Sequence, residues 1–218
     1  MMLGWLFLLL AASMSYVRID LGSDRVEQKG WVAHEAVPVG SLNKPFVALA
    51  YAQEHGFVYP RHRCTAGECW LPRGHGLVGI EQALAQSCNV YFRALRLATS
   101  AESLAATGLR LGLGDVDRSA PEELLRAYVE LHRRGAEPGV GPILAGLHAA
   151  ARGGTAKLLG VDALAKTGTA PCTHTPRGDG DGFAVVLYPA VRPRTALLVR
   201  LHDRPGSHAA QRARALLP

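Results

Sequence analysis

The apolar pattern of this chain changes period twice, so its fold must join a long helical middle to strand-forming segments on either side. Residues 41–55 place Leu42, Phe46, Leu49 and Ala50 at helical spacing and end at Gly56, a stop signal. Residues 80–97 and 121–134 repeat that spacing. Upstream, residues 17–40 alternate poorly but hold β-leaning pieces at 16–21 and 31–39, which lead into a turn at Pro38, Val39 and Gly40. After Gly160, residues 183–188 and 195–201 read as strands separated by a turn containing Pro and Arg. Ser207 is placed to cap a final helix running to Leu217. No internal repeat or interdomain linker is visible. A chain of 218 residues suits one compact domain that buries roughly 70% of its unfolded surface, which excludes both a disordered chain and a disulfide-only miniprotein.

The charge balance narrows the partners. The formal charge is +6, and it rests on arginine, because the only lysines are Lys29, Lys44, Lys157 and Lys166. The arginines form no basic run and do not interleave with aromatics, so the chain is not a nucleic-acid binder. The mild surplus is compatible with an anionic surface such as a membrane or a cell-wall polymer.

Residues 1–16 carry no charge, and residues 3–10 are a dense apolar run followed by Ala11, Ala12 and Ser13. The run is shorter than the ~20 residues a spanning helix needs, and the small residues resemble a cleavage site. Residues 1–16 are therefore assigned to a secretory signal or short membrane anchor, and 17–218 to one compact domain. The alternative is a buried first strand or helix of that domain. Export implies a periplasmic or other extracytoplasmic location, where disulfides persist.

Three short motifs carry chemistry. Ser41-Leu42-Asn43-Lys44 opens the first helix, where residues three apart share a face and Pro45 is tolerated in the first turn. A neutral Lys44 can take the proton of Ser41. Ser87-Cys88-Asn89 is the second motif, and Lys166-Thr167-Gly168-Thr169, just before the late strands, is the third. Each alone is common in ordinary turns and capped helices. Their order is the one found in penicillin-interacting serine enzymes, and two of only four lysines fall in them.

The chain resembles the transpeptidase domains of penicillin-binding proteins. The likeness runs through residues 38–46, Gly74-His75-Gly76, residues 83–92 and Ala127-Tyr128, and the segment from Cys69-Trp70 to Phe92 is most similar to the elongation-type class B branch. The resemblance implies an α/β (α+β) penicillin-binding protein/β-lactamase-like fold. Its antiparallel sheet would combine the N-terminal strand region, the Lys166 strand and the two late strands, flanked by the C-terminal helix and by an all-helical half from Ser41 to about Gly154. It further implies attack by Ser41 on a D-Ala-D-Ala stem peptide, with Lys44 as base and Lys166 lowering its pKa. Ser87 would relay a proton, Asn89 would hold the substrate amide, and Thr167 and Thr169 with Lys166 would bind its carboxylate. Backbone amides of Ser41 and Thr169 would form the oxyanion hole, while Gly168 would let the strand approach substrate closely. No catalytic cofactor is implied. Partners would be peptidoglycan stem peptides, β-lactams and other cell-wall synthesis proteins. Family members carry a pedestal domain and a larger core, whereas only 76 residues separate Asn89 from Lys166 here.

Cysteines add a second constellation. Cys64, Cys69, His75 and Cys88 offer the Cys3His set of a tetrahedral structural zinc site. If Ser87 and Asn89 face the cleft, Cys88 points away from it toward the 64–76 loop. Related elongation-type enzymes are similar there, with an acidic residue before the Trp. A Cys64–Cys69 disulfide and reduced core cysteines stay open beside zinc, and Cys172 has no assignment.

Three functions fit these residues. The first is a D,D-transpeptidase or D,D-carboxypeptidase, which share an acyl-enzyme on Ser41. The second is a β-lactamase, although none of the acids between the second and third motifs stands in a Glu-x-x-Leu-Asn arrangement. The third is a non-catalytic sensor module for peptidoglycan or β-lactam.

Overall fold

The computed structural model describes residues 14–32, 34–172 and 180–218. Its strands are β1 (Met14–Asp20), β2 (Val26–Lys29), β3 (Val37–Pro38), β4 (His62–Cys64), β5 (Gly76–Val78), β6 (Arg118–Ser119), β7 (Leu164–Ala170), β8 (Asp181–Tyr188) and β9 (Thr195–Leu201). Its α-helices are α1 (Lys44–Glu54), α2 (Ile80–Ala85), α3 (Asn89–Leu97), α4 (Ala101–Arg110), α5 (Pro121–Arg133), α6 (Val140–Gly153) and α7 (Gly206–Ala213). Among the described residues, no helix is long and apolar enough to cross a membrane.

Five strands form one antiparallel sheet in the order β2-β1-β9-β8-β7. Strands β8 and β9 are covered on both faces, which is why they read as nearly continuous apolar runs. Phe183, Val185, Leu187 and Leu198 pack into the core of the helical half. Their alternates Ala184, Val186, Leu197 and Val199 face Ala209, Ala210 and Ala213 of α7. The small residues of α7 let that helix lie close to the sheet. Strand β1 is half-buried and alternates, with Ser15, Val17 and Ile19 inside.

Several sequence expectations change here. Residues 1–13 of the leader lie outside the described residues. Met14, Ser15 and Tyr16, assigned to it, instead belong to β1 and pair with β9, because the inward alternation begins at Ser15. The helical spacing over 80–97 is two helices, α2 and α3, broken at Ser87, whose φ is +50°. Ser207 does not cap the last helix. Pro205 occupies the N-cap without a side-chain bond, and Ser207 lies inside the first turn. The helix starts there because Gly206 has no side chain: a Cβ would stand 2.4 Å from the carbonyl oxygen of Gly168 in β7.

The helical half meets the sheet through a 3-10 turn, Gly40–Asn43, that leads into α1. Gly40 has φ +53°, and a Cβ on it would sit 2.4 Å from the Thr169 carbonyl oxygen. From the other side, Tyr128 of α5 donates a hydrogen bond to Leu42 O at 2.6 Å, fully buried. Asn43 donates to Asp117 at 2.7 Å, and Arg96 of α3 holds the same carboxylate at 2.7 Å.

Gly40→Ala is expected to destabilise the fold. The left-handed φ costs about 1–2 kcal/mol for an L-residue, and the contact with Thr169 adds roughly 1–3 kcal/mol. Urea unfolding should show a loss of about 2–5 kcal/mol at unchanged slope; a variant as stable as the parent would show that the turn does not press on β7.

Candidate active site and cysteine–histidine cluster

The 3-10 turn explains the spacing of the first motif. Its i to i+3 bond, Lys44 N–H to Ser41 O, stacks the two residues one above the other. Ser41 lines a cleft of about 510 Å³ together with Ser87, Asn89, Thr167, Gly168 and Thr169. Lys44 is buried behind it. Its Nζ donates to Ser87 O at 2.8 Å, Ser87 Oγ at 3.1 Å and Asn89 Oδ1 at 2.7 Å, and lies 5.4 Å from the Phe92 ring centre. Lys166 of β7 is completely enclosed and donates to Ser87 Oγ at 2.9 Å and to Thr167 O at 2.7 Å. Ser87 Oγ is thus shared by both lysines. Ser41 Oγ makes no hydrogen bond among the described residues, and Asn89, expected to hold substrate, is engaged by Lys44.

Burial lowers Lys44 from 10.5 to about 8, with the Cys88 and Cys69 sulfurs pulling the other way. Burial first, then the Lys44 charge, drives Lys166 well below its ordinary value. The sequence reading had Lys166 depressing Lys44. In the structure burial is the first cause for both lysines, and the repulsion between them adds to it. The lysines behave as one coupled pair.

The cleft also has walls that motif spacing did not indicate. Trp70, Gly154, Thr155, Lys157 and Leu158 line it, as do Pro205, Gly206 and Ser207 at the start of α7. Thr167 Oγ1 donates to Thr155 Oγ1 at 2.6 Å. Residues 153–155 belong to none of the three motifs, and folding sets them beside β7.

Behind the Ser87 turn lies the cysteine–histidine cluster. The ligand atoms of Cys64, Cys69, His75 and Cys88 all lie within 4.8 Å of one another. Cys64 Sγ is 3.4 Å from His75 Nδ1, and Asn89 N–H donates to Cys69 Sγ at 3.2 Å. Cys64, Cys69 and Cys88 form no disulfide. Burial, then the charge of Lys44, lowers the His75 pKa and keeps the imidazole neutral. Burial opposes ionisation of Cys69, yet the amides of Asn89, Val90 and Leu71 outweigh it and lower the thiol pKa. A neutral imidazole and an eased Cys69 thiol are what a metal takes, whereas burial pushes the Cys88 thiol up to about 12. Ligand atoms around zinc stand roughly 3.5–4 Å apart at bond lengths of about 2.0–2.3 Å, so the donor set fits that ion. Cys172 lies outside the cluster.

Comparison with solved structures places this architecture. The chain superposes on PBP2 of Pseudomonas aeruginosa, solved in complex with WCK 5153, with a TM-score of 0.78 and 17% identity over 95% of this chain and 72% of that one. It matches PBP2 of Helicobacter pylori, in complex with MreC, with a TM-score of 0.76 and 15% identity over 93% of this chain and 58% of that one. It matches the transpeptidase domain of the FtsI4 D,D-transpeptidase from Legionella pneumophila with a TM-score of 0.64 and 18% identity over 94% and 89%. The fold is that of penicillin-binding protein transpeptidase domains, in a chain shorter than these structures. No protein-family model matches the chain, and no curated protein matches it in sequence.

Selective ¹⁵N-lysine labelling reports the pair directly, since four lysines give four Nζ signals. The Lys44 signal is expected to titrate near pH 8 in place of 10.5. Its folded pKa lies below the unfolded one, so the unfolded chain binds more protons between those values, and this group adds stability as pH rises from about 8 to 10.5. Below 8 both states are protonated and the burial cost is constant. A transition at 10.5 would show that Lys44 is solvated.

Proposed function

We propose that this protein is a penicillin-binding serine acyltransferase that acts on D-Ala-D-Ala stem peptides of peptidoglycan, as a D,D-transpeptidase or D,D-carboxypeptidase. The observation that carries this reading is the sharing of Ser87 Oγ by two buried lysines at the back of a cleft that also holds Ser41. Ser41 Oγ attacks the penultimate D-Ala carbonyl and gives its proton to neutral Lys44. The Ser41 oxygen–carbon bond forms and the peptide carbon–nitrogen bond breaks. Ser87 passes the proton, drawn from the lysine pair, to the leaving nitrogen, and D-alanine departs. An amine or water then resolves the acyl-enzyme.

Around that step, backbone amides of Ser41 and Thr169 receive the oxyanion. Thr167 and Thr169, with Lys166 behind them, receive the substrate carboxylate. Gly168 keeps β7 open to close approach, and Asn89 exchanges its bond to Lys44 for one to the substrate amide. β-Lactams would acylate the same serine. Export, an extracytoplasmic location and contact with other cell-wall synthesis proteins belong to the same reading; the Helicobacter pylori neighbour was solved with MreC.

No cofactor takes part in this chemistry. Cys64, Cys69, His75 and Cys88 would hold a structural zinc ion, which supplies a closed tetrahedral clamp on the 64–76 loop.

Labelling with a fluorescent penicillin followed by peptide mapping is the decisive experiment. A covalent adduct is expected on Ser41, absent in Ser41→Ala. Acylation should fall about 10²–10⁴-fold in Lys44→Ala, the range for loss of a positioned base, and should also fall in Lys166→Ala. Folded protein without an adduct would leave a binding module, and an adduct rapidly lost with hydrolysed drug would indicate a β-lactamase.

Metal analysis of protein purified without chelator should give about one zinc per chain, as expected of a closed four-ligand site. Chelation or Cys88→Ser should lower the melting temperature. Metal-free protein with Cys64 linked to Cys69 would refute the zinc site.

A further inference from the structure

The loop that carries the cluster also reaches into the cleft. Trp70 follows Cys69 directly, lines the cleft and is 51% exposed. Core packing therefore does not account for it. Its indole N–H, the side chain's single donor, is directed at Gln86 O and Ser87 O, each at 3.2 Å. Its ring stands edge-on to His75 with centroids 5.5 Å apart.

The turn it grips is a demanding one. Ser87 has φ +50°, a left-handed conformation that a residue with a Cβ adopts only when its surroundings impose it. Lys44 Nζ approaches the same carbonyl at 2.8 Å, so Ser87 O accepts from the base side and from Trp70 at once. Two residues on, Asn89 begins α3, where a backbone N–H has no intrahelical acceptor. Cys69 Sγ takes that donor at 3.2 Å. Two consecutive residues, Cys69 and Trp70, thus hold both sides of Cys88.

We propose that Trp70 is a positioning residue, whose indole N–H, together with Cys69 Sγ, locks the Gln86–Asn89 turn so that Ser87 Oγ bridges Lys44 and Lys166. If the turn relaxes toward right-handed backbone, Ser87 Oγ swings away from the two lysines although neither lysine has changed. The catalytic consequence rests on the reading of Ser87 as the proton relay.

Two variants separate the N–H from the ring. Trp70→Phe keeps an aromatic wall without the donor. An isosteric analogue in which sulfur replaces the indole N–H, placed at position 70 by suppression, keeps the shape as well. Both should melt within a few degrees of the parent, since the residue is half-exposed. Hydrogen exchange of the peptide covering 86–90 should quicken about tenfold in each, the size of one lost hydrogen bond. Stopped-flow acylation by penicillin should show the acylation rate constant lowered about tenfold, with the dissociation constant of the initial complex nearly unchanged. A wall-only role would move the dissociation constant and spare both the rate and the exchange in the sulfur analogue, which would overturn the inference. Faster exchange with an unchanged acylation rate would overturn it as well. If the parent protein is never acylated at Ser41, the proposed function falls, while exchange at 86–90 still decides whether Trp70 holds the turn.

Discussion

The site exists because two stretches of backbone approach each other where side chains would keep them apart. Gly40 stands against the Thr169 carbonyl, and a Cβ on Gly168 would meet Leu42 at 3.1 Å. That contact is the seam between the helical half and the sheet. It fixes Ser41 beside Thr167 and Thr169 and puts Lys166 within reach of Ser87. Tyr128 and Asp117 then hold the turn from the helical side. The remainder of the cleft is arranged around that seam.

What lies behind the seam is electrostatically unusual. The described residues lining the cleft include no carboxylate, and the hydrogen-bond partners of Lys44 and Lys166 are all neutral oxygens. Neutral acceptors satisfy the donors without anchoring the charge, so burial is free to weaken both ammonium groups. The surface behaves oppositely, with arginines paired to Glu and Asp, as in Arg134–Glu130 and Arg126–Asp24. Placing two of the four lysines inside while most arginines stay at the surface follows the chemistry of the two side chains, since an arginine stays protonated where a lysine need not.

The sequence makes the late strands plain because both their faces are buried, which leaves an uninterrupted apolar signal at residues 183–188 and 195–201. The three motifs are legible as an ordered set, and folding brings them to one cleft. What spacing does not reveal is set by contacts from afar. Ser87 is no helix breaker, so nothing local announces the split between α2 and α3; Lys44, Trp70 and Cys69 impose it. The start of α7 follows from its contact with Gly168, and Ser207 is bypassed for that reason. Helix α6 goes unmarked because its alanines and glycines give little periodic contrast. Thr155 and Lys157 reach the cleft only through tertiary placement.

The pairing of β1 with β9 sets an order in time. Met14 faces Leu201 across the sheet, and Asp20 faces Thr195, so the second strand from one edge is contributed from far upstream of its partner. Loop closure of that span comes before any β1–β9 ladder bond can form. On the ribosome, β1 emerges first and must wait, its inward-facing Val17 and Ile19 without a sheet to enter, until β9 has been made. The helical half can collapse in that interval, whereas the cleft, which needs β7 on a finished sheet, is completed last.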